Sequence, residues 1–263
     1  MRKQGFAQLA VVIIGAGIIS VGGYAYYKSK QYEKQPVPQA VEISDLAPEN
    51  SNSNNDSTSN PETPDNSAPN ISIPEELNLK MTFYSQAPFG DWSLPWQEAC
   101  EESSALLIAN TYFGHNWTRE QFNEEILKLV DWQNQNFGHY EHTDMAETAT
   151  ILNDYLNLET ITHENPTLDD FKEILSRGNF IIIPFSGQTL GNPYYTGEGP
   201  VYHVVVVKGY TKDGKIITHD VGTRHGEDYV YSWPTVEKSL HDYAEPISSG
   251  TPRIIEVLQP QGF

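Results

Sequence analysis

Residues 202–220, YHVVVVKGYTKDGKIITHD, decide the fold. An apolar run, a polar segment carrying Asp213-Gly214 and a second, shorter apolar run read as two antiparallel strands joined by a turn. Two registers are open. A loop of Tyr210–Asp213, flanked by Gly209 and Gly214, sets Asp220 opposite His203 on one face of the hairpin. A tight Asp213-Gly214 turn pairs Asp220 with Val207 instead, about 13 Å away along a ladder that rises ~3.3 Å per residue. Contact between the imidazole and the carboxylate therefore needs the longer loop or a bulge.

Outward from this hairpin, Phe180–Pro184 (FIIIP) reads as a buried strand. Asn78–Ser85 (NLKMTFYS), Glu227–Ser232 (EDYVYS) and Arg253–Leu258 (RIIEVL) read as further strands. Residues 100–113, CEESSALLIANTYF, predict a helix with Ala105, Ile108, Ala109 and Tyr112 at core-facing spacing. Thr118 and Gln121 form a capping box for a helix reaching Val130. A third helix is expected from Asp144 to Tyr155. Thr167 and Asp170 open a fourth, which Gly178 closes. Helices precede most of an antiparallel sheet, which is the pattern of an α+β domain.

The chain before this domain has different physics. After a short flank at 1–6, residues 7–27 (AQLAVVIIGAGIISVGGYAYY) carry no charge. As a helix they would span roughly 30 Å, the thickness of a bilayer core. Arg2 and Lys3 flank one end, Lys28 and Lys30 the other, and Tyr24, Tyr26 and Tyr27 suit the interface. This segment is expected to be an uncleaved transmembrane anchor. Residues 28–76 follow as a linker whose centre, SNSNNDSTSNPETPDNSAPN (51–70), has one apolar residue, Ala68. Such a segment cannot offset its ordering entropy and is expected to be disordered. Residues 77–263 make the folded domain. A short N-terminus ahead of a first apolar segment puts that domain outside the cytoplasm, on a single-pass membrane protein.

The chain has 35 acidic residues against 16 Lys plus Arg, a net charge of −19. That excess argues against a nucleic-acid partner. A single cysteine, Cys100, excludes an internal disulfide and a Cys-based zinc finger. Cys100 opens the first helix, where unpaired amides and the helix dipole favour a thiolate. Glu101 and Glu102 oppose it. A thiol attacks an amide carbonyl as thiolate, with an imidazole to move its proton and a carboxylate to orient that imidazole. His203 and Asp220 are the candidates. A donor for the oxyanion is also required, and Gln86 and Gln97 both lie upstream of Cys100.

The segments FYSQAPFGDW (83–92), QEACEESSALLIA (97–109), YHVVVVKGY (202–210) and HDVGTRHGEDYVYSW (219–233), in that order, resemble the peptidase C-thirty-nine-like family. These are papain-fold cysteine peptidases related to bacteriocin leader peptidases. The resemblance covers most of residues 80–258. It implies a nucleophile helix packed on an antiparallel sheet. It also implies Cys100 as nucleophile, His203 as general base, Asp220 as orienting residue and Gln86 as oxyanion donor. Two departures stand out: Glu101-Glu102 replace the Gly-Pro that follows the cysteine in many members, and Val221 replaces the proline after Asp220.

Other polar clusters have simpler readings. His139, Glu141, His142 and Asp144 read as a polar loop before a helix, capped by Thr143 or Asp144, rather than a metal site. His219 should point away from Asp220's face. Gly187–Gly199 (GQTLGNPYYTGEG) is expected to be a mobile wall of the cleft. The sequence as a whole reads as a membrane-anchored, extracytoplasmic cysteine peptidase or amidohydrolase. Its partners are a peptide or protein substrate and, through residues 7–27, the membrane; no cofactor is expected. The alternatives are a non-catalytic peptide-binding module on the same fold, a cell-wall peptide amidase, and a thiol-dependent transferase.

Overall fold

The computed structural model describes residues 73–261. The expected anchor at 7–27 and nearly all of the linker lie outside the described residues. Among the described residues no helix is long and apolar enough to cross a membrane.

The architecture is α+β around one antiparallel seven-stranded sheet. In chain order the elements are β1 (Leu77–Asn78), α1 (Cys100–Tyr112), α2 (Arg119–Asn136) and α3 (Met145–Thr150). Next come β2 (Thr160–Glu164), α4 (Leu168–Ser176), β3 (Phe180–Phe185), α5 (Gly187–Leu190), β4 (His203–Tyr210) and β5 (Ile216–His219). β6 (Tyr229–Tyr231), α6 (Trp233–Ser239) and β7 (Arg253–Val257) complete it. The strand order is β2-β7-β3-β4-β5-β6, and β1 pairs with β4.

The valine run of β4 is apolar throughout because both faces of the sheet are covered. Val204 and Val206 join α1–α3 in one core, with Phe122, Ile126 and Ile151. Val205 and Val207 join α4 and α6 in the other, with Phe171, Ile174 and Val236. α1 is buried along most of its length, so it behaves as a core helix rather than an amphipathic one. Its C-terminal end is tied down by Tyr112. The phenol donates to the Val257 carbonyl (2.9 Å) and accepts from the Phe180 amide (3.0 Å), clamping β3 and β7 to the helix. Nearer the other end, Ser104 donates to the Val204 carbonyl at 3.2 Å.

Local sequence signals account for most helix starts. Thr118, Asp144 and Thr167 are N-caps with complete capping boxes. α2 runs past the expected Val130 to Asn136, because Trp132 and Gln133 continue its inner face. The third helix is α-helical only to Thr150 and continues as a π-turn over Ile151–Tyr155. The expected strand at 78–85 shrinks to β1. Beyond Asn78 the segment crosses the sheet end with isolated bonds, such as Leu79 N–H to the Lys208 carbonyl and Gln86 N–H to the Val221 carbonyl. β2 and α6 have no counterpart in the sequence reading; β2 is an edge strand paired to β7 alone.

The β4–β5 hairpin adopts neither expected register. Val206 faces His219 and Val207 faces Thr218, while Gly209 faces Ile217, so a bulge lies at Lys208. Extended one step, this register brings Asp220 level with Val205, two residues from His203, a diagonal pair on one face. Gly209 permits the bulge: a Cβ there would sit 2.2 Å from the Leu77 carbonyl oxygen. Lys208, buried, donates to Asn78 and Asp228.

Tyr112→Phe should destabilise the domain by about 1–3 kcal/mol, because it strips a buried amide and a buried carbonyl of their partner. Urea unfolding followed by circular dichroism measures it. A change within error would show that the clamp contributes nothing.

Candidate active site

The site lies where the start of α1 meets the start of β4. A short 3₁₀ turn, Trp96–Glu98, delivers the chain to Cys100, the first residue of α1. Ser104, one turn on, is bonded to Val204, so Cys100 is held against the backbone beside His203. The Val204 amide faces the sulfur. Cys100 and Gln86 lie on the wall of an open cleft of about 1230 Å³. Tyr194, Tyr195, Gly222, Arg224 and His225 also line it.

His203 Nε2 lies 2.8 Å from Asp220 Oδ1, and both residues are buried. The carboxylate is heavily bonded. Oδ1 also accepts from the Gly222 amide at 3.0 Å. Oδ2 accepts from Asn192 Nδ2 (2.9 Å), Tyr195 OH (2.7 Å) and Tyr231 OH (2.5 Å). Burial alone would raise its pKa. The His203 charge and the bonds from His203, Tyr231 and Tyr195 outweigh that and hold it at about 2. An ionised carboxylate can only accept, so Nε2 carries the proton and Nδ1 is left as the basic nitrogen. Gly222 lies under the ring: a Cβ there would be 2.6 Å from His203 Cε1.

The thiol has a different partner. Cys100 Sγ donates to Glu101 Oε2 at 2.9 Å, rather than to His203. Burial first, then the charge of Glu101, pushes the thiol well above its ordinary pKa. Burial also pushes the Glu101 carboxyl up to about 7, against hydrogen bonds from Cys100 and its own amide. Burial and the neighbouring Glu101 raise Glu102 well above the usual value. Gln133 donates to Glu102 Oε1, while Glu102 Oε2 and Gln133 Oε1 are buried without a partner.

Of the four expected residues, His203 and Asp220 are in direct contact and Cys100 abuts the next residue of the same strand. Gln86 is placed differently. Its Nε2 donates to the carbonyls of Trp96 and Gln97, each at 2.9 Å, which spends both protons on holding the turn before Cys100. Its Oε1 is buried and unpartnered. The Cys100 amide, at the first position of α1, belongs to the set that a helix leaves unpaired.

Three residues around Asp220 escaped the sequence reading. Asn192 and Tyr195 come from the glycine-rich segment, which is therefore pinned to the carboxylate rather than a free wall. Tyr231 comes from β6. Their spacing carries no signal, because the contacts join separate loops. His219 points elsewhere, as expected: its Nε2 bonds the Met81 carbonyl and its Nδ1 the Asp228 amide. Burial lowers its pKa to about 4. Asp144 caps α3, while His139 pairs with Glu147 and His142 with Glu98.

An α+β domain with a cysteine at a central helix start and a buried His–Asp pair at a strand start is a frame suited to thiol chemistry. Residues 78–247 match the Peptidase C39 like family, and the chain belongs to that family. Family and fold suggest a peptidase. A crystal structure described as a C39-like peptidase from Bacillus anthracis is similar over 71% of this chain and 99% of that one. The two share 14% identity with a TM-score of 0.46. The comparison with curated proteins finds no match.

Two opposed pH effects on stability follow. Asp220 is depressed below its usual 3.8, so it contributes stability above pH 4 that is lost as pH falls toward 2. Glu101 is raised from 4.5 to about 7, and Glu102 is raised too. There the folded state holds more protons than the unfolded one, so stability falls as pH rises from about 4.5 through 7. Thermal melts should show a maximum near pH 4–5. Tyr231→Phe should flatten the acid side, because Asp220 loses a bond that depresses its pKa, and Glu102→Gln should flatten the alkaline side. Melts independent of pH across 4.5–8 would contradict the buried acids. Gly222→Ala should cost about 1–3 kcal/mol by forcing the His203 ring aside.

Proposed function

We propose that the chain is a cysteine peptidase or amidohydrolase of papain-like fold, working through an acyl-enzyme on Cys100. The observation that carries this reading is the buried His203–Asp220 bond beside the cleft that holds Cys100. His203 Nδ1 takes the thiol proton. The thiolate attacks the amide carbon, and the carbonyl electron pair moves to oxygen. The tetrahedral adduct collapses, and the amine leaves with the proton from His203. Water, deprotonated by the same nitrogen, then releases the acid. Asp220 keeps the imidazole in the required tautomer and stabilises the imidazolium. The Cys100 amide donates to the oxyanion. Gln86 joins it by releasing one of the two carbonyls it holds in the resting protein.

The wider context of this reading comes from the sequence. Residues 7–27 anchor the protein in the cell membrane, 28–76 act as a tether, and 77–263 work outside the cytoplasm. The net charge of −19 favours neutral or cationic peptides over acidic ones, an effect that fades with salt. A cell-wall stem peptide is one candidate among amide substrates.

One observation favours a second reading, a peptide-binding module without turnover: the thiol is bonded to a carboxylate and its pKa is raised. A peptide mixture incubated with the full chain, followed by mass spectrometry of the products, separates the two. Hydrolysis that falls by about 10³-fold or more in both Cys100→Ala and His203→Ala is the expected result. Binding without cleavage, unchanged in Cys100→Ala, would establish the module instead. Transfer of the acyl group to an added amine in preference to water would mark a transferase.

A further inference from the structure

Glu101 stands where the glycine of many relatives would, and the reaction drawn above gives it no part. It touches the sulfur directly, at 2.9 Å, and is 1% exposed. We propose that Glu101 is the proton partner of the Cys100 thiol. As a carboxylate it accepts the S–H and keeps the sulfur protonated; as a carboxylic acid it reverses that hydrogen bond and donates its O–H to the thiolate.

The surroundings support two states of this one contact. From its own segment, Glu101 faces Cys100, Glu102 and Glu98. From the segment before α3 it faces Thr143, whose buried hydroxyl makes no hydrogen bond, with Asp144 next along the chain. From the start of β4 it faces Tyr202, whose phenol also senses Asp144 and Asp242. Asp242 is paired with Arg253, His142 lies 3.8 Å from Glu98, and among the described residues no basic side chain pairs with Glu101. A second negative charge beside an ionised Glu101 is therefore poorly supported, and thiolate and carboxylate exclude one another. Glu102, with one oxygen buried and unpartnered, is served by holding a proton of its own.

The protons balance without any redox step. Solvent supplies one proton to Glu101 Oε2. The Cys100 proton then passes to His203 Nδ1, leaving a thiolate, an imidazolium and a neutral Glu101 whose O–H points at the sulfur. Loss of the Glu101 proton to solvent sends the His203 Nδ1 proton back to the sulfur, which becomes a thiol again. Glu101 is thus a positioning residue for the nucleophile. It admits the active ion pair only on the acid side of its own titration. The inference takes its functional meaning from the cysteine-peptidase reading, but it concerns thiol reactivity, which is measured without turnover.

Cys100 is the one cysteine, so alkylation of the full chain by iodoacetamide reports it alone. The second-order rate should fall as pH rises through about 7. Glu101→Gln should abolish that fall and alkylate about tenfold or more faster at pH 8.5, the effect of one pKa unit removed. Glu102→Gln, equally buried but bonded to Gln133 rather than to sulfur, should keep the fall. A readout on the unsubstituted chain guards against misfolding: the infrared S–H stretch should weaken below pH 7 and return above it. A single rise in rate with pH, or an S–H band unchanged from pH 5 to 8, overturns the proposal. Failure to cleave any peptide alongside the expected alkylation profile would sink the peptidase reading and leave this one standing. Cleavage with a flat response to Glu101→Gln would do the reverse.

Discussion

The hydrogen bonds that converge on the Asp220 carboxylate join four stretches of chain at one point. His203 arrives from β4, Tyr231 from β6, and Asn192 and Tyr195 from the segment after β3. Each donor also needs Asp220 charged, so the cluster orders itself: the carboxylate fixes the loop, and the loop keeps the carboxylate ionised in the core. The cleft wall formed by 192–195 is therefore held by the same group that orients the imidazole. Shape of the groove and readiness of the base depend on one side chain.

Much of the frame was legible because local rules acted alone. Thr118, Asp144 and Thr167 cap helices whatever happens elsewhere, and apolar runs such as FIIIP have little choice but burial. Legibility ended where distant segments meet. The relation of His203 to Asp220 turned on a bulge at Lys208, next to which Leu77 and Asn78, from the far end of the domain, pair with Tyr210 and Gly209. β2 was missed since its inward positions are few: an edge strand with exposed Ile161 lacks the alternation that marks a half-buried one. Among the four site residues, His203 meets Asp220 and Cys100 sits beside Val204. The fourth, Gln86, has the right neighbourhood but is committed to the Trp96–Gln97 carbonyls, a detail no spacing encodes.

The two glutamates after Cys100 looked like ordinary first-turn acids, which helix N-termini favour. In the folded domain they are buried, and burial reverses their meaning. An exposed acid there would stabilise the helix through its charge, whereas a buried one is stable mainly as a neutral group. The start of α1 thus gathers several protons whose placement is decided jointly by sulfur, two carboxyls and the nearby imidazole. That is an unusual concentration for a core helix, and it coincides with the cleft.

The sheet order has a consequence for how the domain is made. β7 lies between β2 and β3, although it follows both by many residues. Until Arg253–Val257 emerges during synthesis, β2 has no partner and β3 has only one. The Tyr112 clamp also lacks the Val257 carbonyl. β3 to β6, with β1 on β4, can pair before β7 arrives, but the β2 edge cannot join them. The sheet is completed only when almost the whole chain is available, and the contacts of β7 with β2 and β3 then form late and over long separations, which slows folding. Until that last strand is made, the nascent domain keeps an open edge on β3.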